Sequence, residues 1–145
     1  MELGTTGAIL SFALERESEI EAFYRKYISQ VEESGLKEVF ESIQRAQKKR
    51  ERLLTRFRRE NVTEMILEPI HGFESDSYAL SSVSETVADD SSLQQVAIRI
   101  EESSHSFFLK ASKKTTFLPE VSDKFKELSE KAASNIELLK RVSLN

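Results

Sequence analysis

Between Phe40 and Phe57 the chain places Phe40, Ile43, Gln47, Arg50, Leu54 and Phe57 three and four residues apart in alternation. That spacing puts all six on one helical seam. Its two central positions, where a packed helix would carry Leu or Ile, hold an amide and a guanidinium. Two other apolar faces are each interrupted by a single carboxylate. Glu17 sits among Leu10, Ala13, Leu14, Ile20, Tyr24, Tyr27, Ile28 and Val31, and Glu101 among Leu93, Val96, Ala97, Ile100, Ser104, Phe108 and Ala111. A guanidinium presents a planar fork of N–H donors to which a carboxylate can offer two parallel acceptors. Arg50 is therefore expected to bridge toward Glu17, Glu101 or both. One cation does not neutralise two buried anions, so a second cation, a water or a carboxylate of raised pKa is also required. Ser and Glu are plentiful, yet their spacing builds no nucleophile triad, and no glycine-rich phosphate loop or dinucleotide fingerprint is present.

The remaining chemistry-bearing residues have simpler readings. His105 lies one turn after Glu101 on a neighbouring face and is read as a boundary side chain meeting solvent or a backbone carbonyl; His71 is read in the same way. Tyr24 and Tyr27 recur at helical spacing and are assigned to the core. The basic run Arg45, Lys48, Lys49, Arg50, Arg52, Arg56, Arg58 and Arg59 is the strong local charge bias. Cations toward a helix C-terminus are favourable, the whole chain is acidic, and no aromatics interleave the exposed positions. The run is accordingly read as a solvated helix surface, and nucleic acid is not an expected partner.

Four helices must position these residues. The first is expected over about 6–33, capped by Thr5 or Thr6 and closed at Ser34-Gly35 by a left-handed glycine. Glu15, Arg16, Glu19, Glu21, Arg25 and Lys26 fall mostly on its other faces. The second helix spans about 36–60. Residues 61–90 form a crossover broken up by Glu68-Pro69, His71-Gly72 and several serines, with room for a short helix between Ser77 and Ala88. A connection of that length can run along a bundle. Asp89, Asp90, Ser91 and Ser92 offer caps for a third helix over about 91–114. The fourth, about 119–142, opens at Pro119 and carries Val121, Phe125, Leu128, Ala132, Asn135, Leu139 and Val142 on a seam like that of the second.

Composition agrees with this helical reading. The 145 residues carry 39% hydrophobic and 32% charged side chains with four glycines and two prolines, as a single all-α domain over 1–145 would. The absence of cysteine excludes disulfides, thiolate metal sites and thiol catalysis. No apolar run has the length of a signal peptide or membrane span, so the expected location is cytoplasmic, away from the membrane. The net charge of -4 gives no overall pull toward nucleic acid or anionic lipid.

The two halves of the chain repeat. Ala13-Leu14-x-x-Glu17 followed by Phe23-Tyr24 matches Ala97-Ile98-x-x-Glu101 followed by Phe107-Phe108. Phe40, Ile43, Gln47, Arg50, Leu53 and Leu54 then match Phe125, Leu128, Ala132, Asn135, Leu138 and Leu139. Two similar helical hairpins joined by a crossover imply an antiparallel four-helix bundle with pseudo-twofold symmetry. Under that symmetry Glu17, Gln47, Arg50, Glu101, Ala132 and Asn135 converge at one level.

This double pattern resembles the ferritin-like superfamily, and within it the rubrerythrin type, whose hairpins read Ala-Ile-x-x-Glu ending in Phe-Tyr, then Phe-x-x-Leu-x-x-x-Glu-x-x-His-x-x-Leu-Leu. The apolar frame is present twice and covers all four helices. The resemblance implies a di-iron site whose first- and third-helix ligands would be Glu17 and Glu101. At the Glu-x-x-His positions stand Gln47 and Arg50 in one half, Ala132 and Asn135 in the other. The family's rubredoxin-like iron module needs cysteines, which the chain lacks. A di-iron centre requires several anionic oxygens and commonly imidazoles, whereas Arg50 introduces a fixed positive charge. The expectation is a protein that has lost most di-iron ligands, holds no cofactor, and serves as a non-catalytic binding or scaffolding module. The competing expectation is an iron or other divalent-metal oxidoreductase, or an iron-handling protein, using Glu17 and Glu101 with help from His105. Relatives commonly associate through helix faces, so the resemblance is compatible with a homodimer. No small-molecule ligand is indicated.

Overall fold

The computed structural model describes residues 1–60, 69–80, 87 and 89–144. Four helices pack together: α1 (Thr6–Tyr27), α2 (Ser34–Glu60), α3 (Asp90–Lys114) and α4 (Pro119–Arg141). No strand occurs among the described residues. Consecutive helices make the closest pairs, α1 with α2 and α3 with α4, and the two pairs meet along an α1–α3 seam and an α2–α4 seam. The six seam residues of α2 are all buried, as their spacing predicts. The short helix expected between Ser77 and Ala88 falls largely outside the described residues; what is described is a single 3-10 turn at Ser75–Tyr78.

The α1–α2 connection differs from expectation. Thr5 caps α1 by accepting a hydrogen bond from Ala8 N at 3.0 Å. The helix then ends at Tyr27 rather than near residue 33, giving way to a 3-10 turn at Ile28–Gln30 and to extended Val31, which buries its side chain. Gly35 does not terminate α1 in a left-handed conformation; it lies inside the first turn of α2. Its small size leaves room for a cap. The Glu33 carboxylate accepts from Leu36 N at 2.7 Å, and a Cβ on Gly35 would stand 3.0 Å from that carboxylate.

The ends of the bundle are tied by side chains that satisfy backbone groups left over at helix termini. Asp89 and Ser92 form a reciprocal capping box at the start of α3. Asp90 accepts from Glu32 N at 3.0 Å and Glu33 N at 2.7 Å, fastening the α1–α2 connection to α3. Buried Gln94 donates to the carbonyls of Leu139 and Val142 at 2.7 and 2.9 Å, closing the end of α4. Residues 69–75 of the crossover lie against the N-terminus, where Leu3 N donates to Phe73 O at 2.7 Å and Ile70 N to Gly4 O at 2.9 Å.

The apolar core falls into two blocks. One gathers Leu3, Ile9, Leu10, Leu54, Phe57, Phe73, Phe107, Phe108 and Phe125. The other gathers Ile20, Tyr24, Leu36, Phe40, Ile43, Val96, Ile100 and Leu139. Along every helix the residues separating the blocks include polar ones: Arg16 and Glu17 on α1, Gln47 and Arg50 on α2, Glu101 and Ser104 on α3, Asn135 on α4.

Candidate functional site

This polar layer contains the six positions expected to converge, Glu17, Gln47, Arg50, Glu101, Ala132 and Asn135, but neither histidine. Glu17, Gln47, Glu101 and Ala132 are buried, Arg50 is 6% exposed, and Asn135 is half-buried at the rim. The heptad-like alternation of three and four residues brings Gln47 and Arg50 to the same face as Phe40 and Leu54, and thus into the interior rather than to solvent.

Arg50 Nη2 lies 2.7 Å from Glu17 Oε1. The N–H directions do not line up with that oxygen, so the contact is ionic, and Arg50 Nε and Nη2 make no aligned hydrogen bond. Gln47 Nε2 donates to the Glu17 carbonyl at 3.2 Å and to Glu51 Oε2 at 3.2 Å, with the Glu17 carboxylate at 3.4 Å. Three acceptors around one nitrogen fix the orientation of this amide. Asn135 Nδ2 donates to Glu101 Oε1 at 3.5 Å, a long bond. Both carboxylates keep one oxygen without a partner, Glu17 Oε2 and Glu101 Oε2.

Arg16 completes the layer, contrary to its assignment to an outer face. It is 1% exposed. Its Nε donates to Tyr78 O at 3.0 Å, Nη1 to Ser104 Oγ at 3.2 Å and Nη2 to Ser103 Oγ at 3.0 Å. The two guanidinium groups lie over adjacent rings of α3, Arg16 at 5.2 Å from the Phe107 centroid and Arg50 at 5.9 Å from that of Phe108. Arg16 is thus a second buried cation whose charge acts on Glu17 and Glu101 without an ion pair to either, and it stands in the layer together with a carboxylate of raised pKa. A signal for it exists in the sequence: Ile9, Ala13, Arg16 and Ile20 repeat the four-and-three spacing as a second buried stripe on α1.

Burial and charge act on these groups in opposing ways. Burial pushes the Glu101 carboxyl up to about 7, partly countered by the Arg50 charge, while neighbouring Glu17 adds to the rise. Desolvation lowers Arg16 to about 10, against the pull of Glu17. Burial would lower Arg50 as well, but the adjacent Glu17 carboxylate, with the charge of Glu101 behind it, raises it above the usual guanidinium value. Tyr24, buried with its hydroxyl unpartnered, is pushed well up by burial and then by the Glu101 charge. Its ring packs edge-on to Phe40 at 5.1 Å, in keeping with a core role.

The donor chemistry does not suit a pair of iron ions. Two carboxylates supply anionic oxygen, and a guanidinium lies against one of them. His105 faces elsewhere, with Nδ1 2.8 Å from Ser129 O, and among the described residues no three His, Cys, Asp or Glu side chains cluster as metal ligands do. His71 is exposed, 3.7 Å from Glu2.

On the α2–α4 seam the layer opens into a groove of about 430 Å³. Arg50 and Asn135 lie in its lining with Arg45, Lys49 and Lys131, and Leu53 and Leu128 supply apolar wall. The rest of the basic run is exposed surface, with Arg56 paired to Glu60 at 3.7 Å and near Glu120 at 3.9 Å.

These features define the molecule as a four-helix protein with a buried ion-pair layer. No family model, curated protein or solved structure matches the chain. No described helix is long and apolar enough to cross a membrane.

Proposed function

We propose that the chain is a ferritin-like protein of rubrerythrin type, two antiparallel helical hairpins joined by a crossover, in which an ion-pair layer stands where relatives would hold di-iron. Its role is then non-catalytic, as a binding or scaffolding module. The observation that carries this reading is the Arg50 guanidinium at 2.7 Å from Glu17, inside the layer. The twofold repeat of the apolar frame supports the hairpin arrangement, and Gln47 and Asn135 on the two carboxylates support substitution of amides for ligands. A guanidinium repels a divalent cation and needs no oxidisable centre beside it, so it stabilises the carboxylates without redox chemistry.

Metal analysis of protein purified without chelators, followed by iron(II) addition with optical monitoring, tests this directly. The expected outcome is iron below stoichiometric occupancy and no oxidation beyond the buffer rate. Stoichiometric iron that oxidises on the protein would overturn the reading in favour of a metal-dependent oxidoreductase or iron-handling protein built on Glu17 and Glu101.

A further inference from the structure

The groove on the α2–α4 seam is strongly cationic and differs from the adjoining basic surface of α2, where Glu51 lies among Arg52, Arg56 and Arg59. Arg45, Lys49 and Lys131 contribute three cations without a carboxylate partner, Arg50 a fourth that is paired with Glu17 behind the wall, and no carboxylate lines the groove. The chain as a whole carries -4. Among the described residues Arg45, Lys49 and Lys131 pair with no carboxylate, so their charge is directed at solvent rather than consumed internally. At the floor lies Arg50, 6% exposed, with Nη2 held against Glu17 Oε1 at 2.7 Å and both Nε and Nη2 closed to solvent. Ser134 and Asn135 add a hydroxyl and an amide at the wall.

We propose that this groove binds a small molecule carrying a phosphate group. The proposal deepens the binding-module reading above and rests on it. The Lys49 and Lys131 ammonium groups and the Arg45 guanidinium, all exposed at the rim, match a phosphate, which accepts several charge-assisted hydrogen bonds at once. The volume of about 430 Å³ lies within the range of small-ligand sites. A second copy related by a twofold axis through the groove would bring the same cations against one another and leave them unpaired. Duplex nucleic acid would touch the exposed basic run as readily as the groove.

Pyrophosphate titrated into the full chain at low salt, followed by calorimetry and by the Asn135 side-chain amide signals in NMR, is the test. Saturable binding that shifts those signals is expected. Lys49→Glu and Lys131→Glu, both at exposed positions, should each weaken it about tenfold or more, a loss of about 1.4 kcal/mol. Arg58→Glu, on the basic run outside the groove, should change it less than about twofold. Titrations with inorganic phosphate and with a phosphate monoester separate a free anion from an esterified ligand, and binding of either at the groove supports the site. The proposal is overturned if no saturable binding occurs, if the Asn135 signals stay still, or if Arg58→Glu costs as much as Lys131→Glu. A short DNA duplex that binds with equal dependence on all three residues also overturns it in favour of a surface polyelectrolyte contact. Failure here with no iron uptake would remove the groove ligand alone, whereas stoichiometric iron oxidation would remove the functional reading beneath it.

Discussion

Arg16 and Arg50 pose the same problem and solve it differently. Each is a guanidinium buried in the layer that holds Glu17 and Glu101, over one of two consecutive phenylalanine rings. On the α1–α3 seam the crossover supplies the Tyr78 carbonyl, α3 supplies two hydroxyls, and all three Arg16 nitrogens are satisfied. On the α2–α4 seam no described segment covers the gap, and Arg50 has one ionic contact, from Nη2 to Glu17, with no aligned hydrogen bond at Nη2 or Nε. The sealed cation is held by neutral acceptors and loses basicity to desolvation; the open one is held by a carboxylate and gains it. A hydrogen-bonded seam thus serves structure, whereas an under-bonded seam beside a cationic groove leaves capacity for something else.

The largest effect that can break this comparison is loss of Arg50. Arg50→Ala strands Glu17 in the interior and should cost about 3–5 kcal/mol, while Arg58→Ala on the exposed surface should stay within about 0.5 kcal/mol. Equal losses in denaturant unfolding would contradict the pairing.

Next in size is the pH dependence set by Glu101. Its folded pKa of about 7 exceeds the ordinary 4.5, so between these values the folded chain retains a proton that the unfolded chain has lost. Stability therefore falls as pH rises through that window, by roughly 3 kcal/mol in total, and levels off above it. Glu101→Gln removes the titrating group and should flatten the fall, gaining on the parent protein steadily from the acidic end to the neutral end. Parallel stability profiles for the two proteins would show that Glu101 does not titrate in this range.

Arg16→Met is the smallest of the three. It orphans the Tyr78 carbonyl but leaves two serine hydroxyls free to rotate to other partners, so a loss of about 2 kcal/mol is expected. It also withdraws positive charge from Glu101, and the pH window should widen upward. A loss as large as that of Arg50→Ala would mean that the two seams are energetically alike.

Much of the fold could be read from spacing. The seam from Phe40 to Phe57 specified its buried face completely, because an alternation of three and four residues leaves little choice about which side turns inward. Glu17 and Glu101 were found by the same logic, as lone charges in apolar faces. Arg16 escapes because the stripe through Glu17 already includes Ala13 and Ile20, and so hides the adjoining stripe that these two residues form with Ile9 and Arg16. Gly35 misled for a different reason: glycine favours helix ends by backbone freedom, but here it makes space for a carboxylate cap at a helix start. The groove was beyond reach, since it depends on how far apart α2 and α4 stand, a distance that residue spacing along either helix does not encode.

The two apolar blocks lie on either side of the charged layer, and this arrangement fixes the bundle longitudinally. Sliding α2 by one turn, about 5.4 Å, would carry Arg50 out of reach of Glu17 and into aromatic surroundings. Greasy surfaces alone would tolerate such a slip, because one ring or branched chain replaces another at modest cost. The layer works as a detent: it holds the helices at a single setting and resists displacement in either direction with the full cost of an uncompensated buried charge.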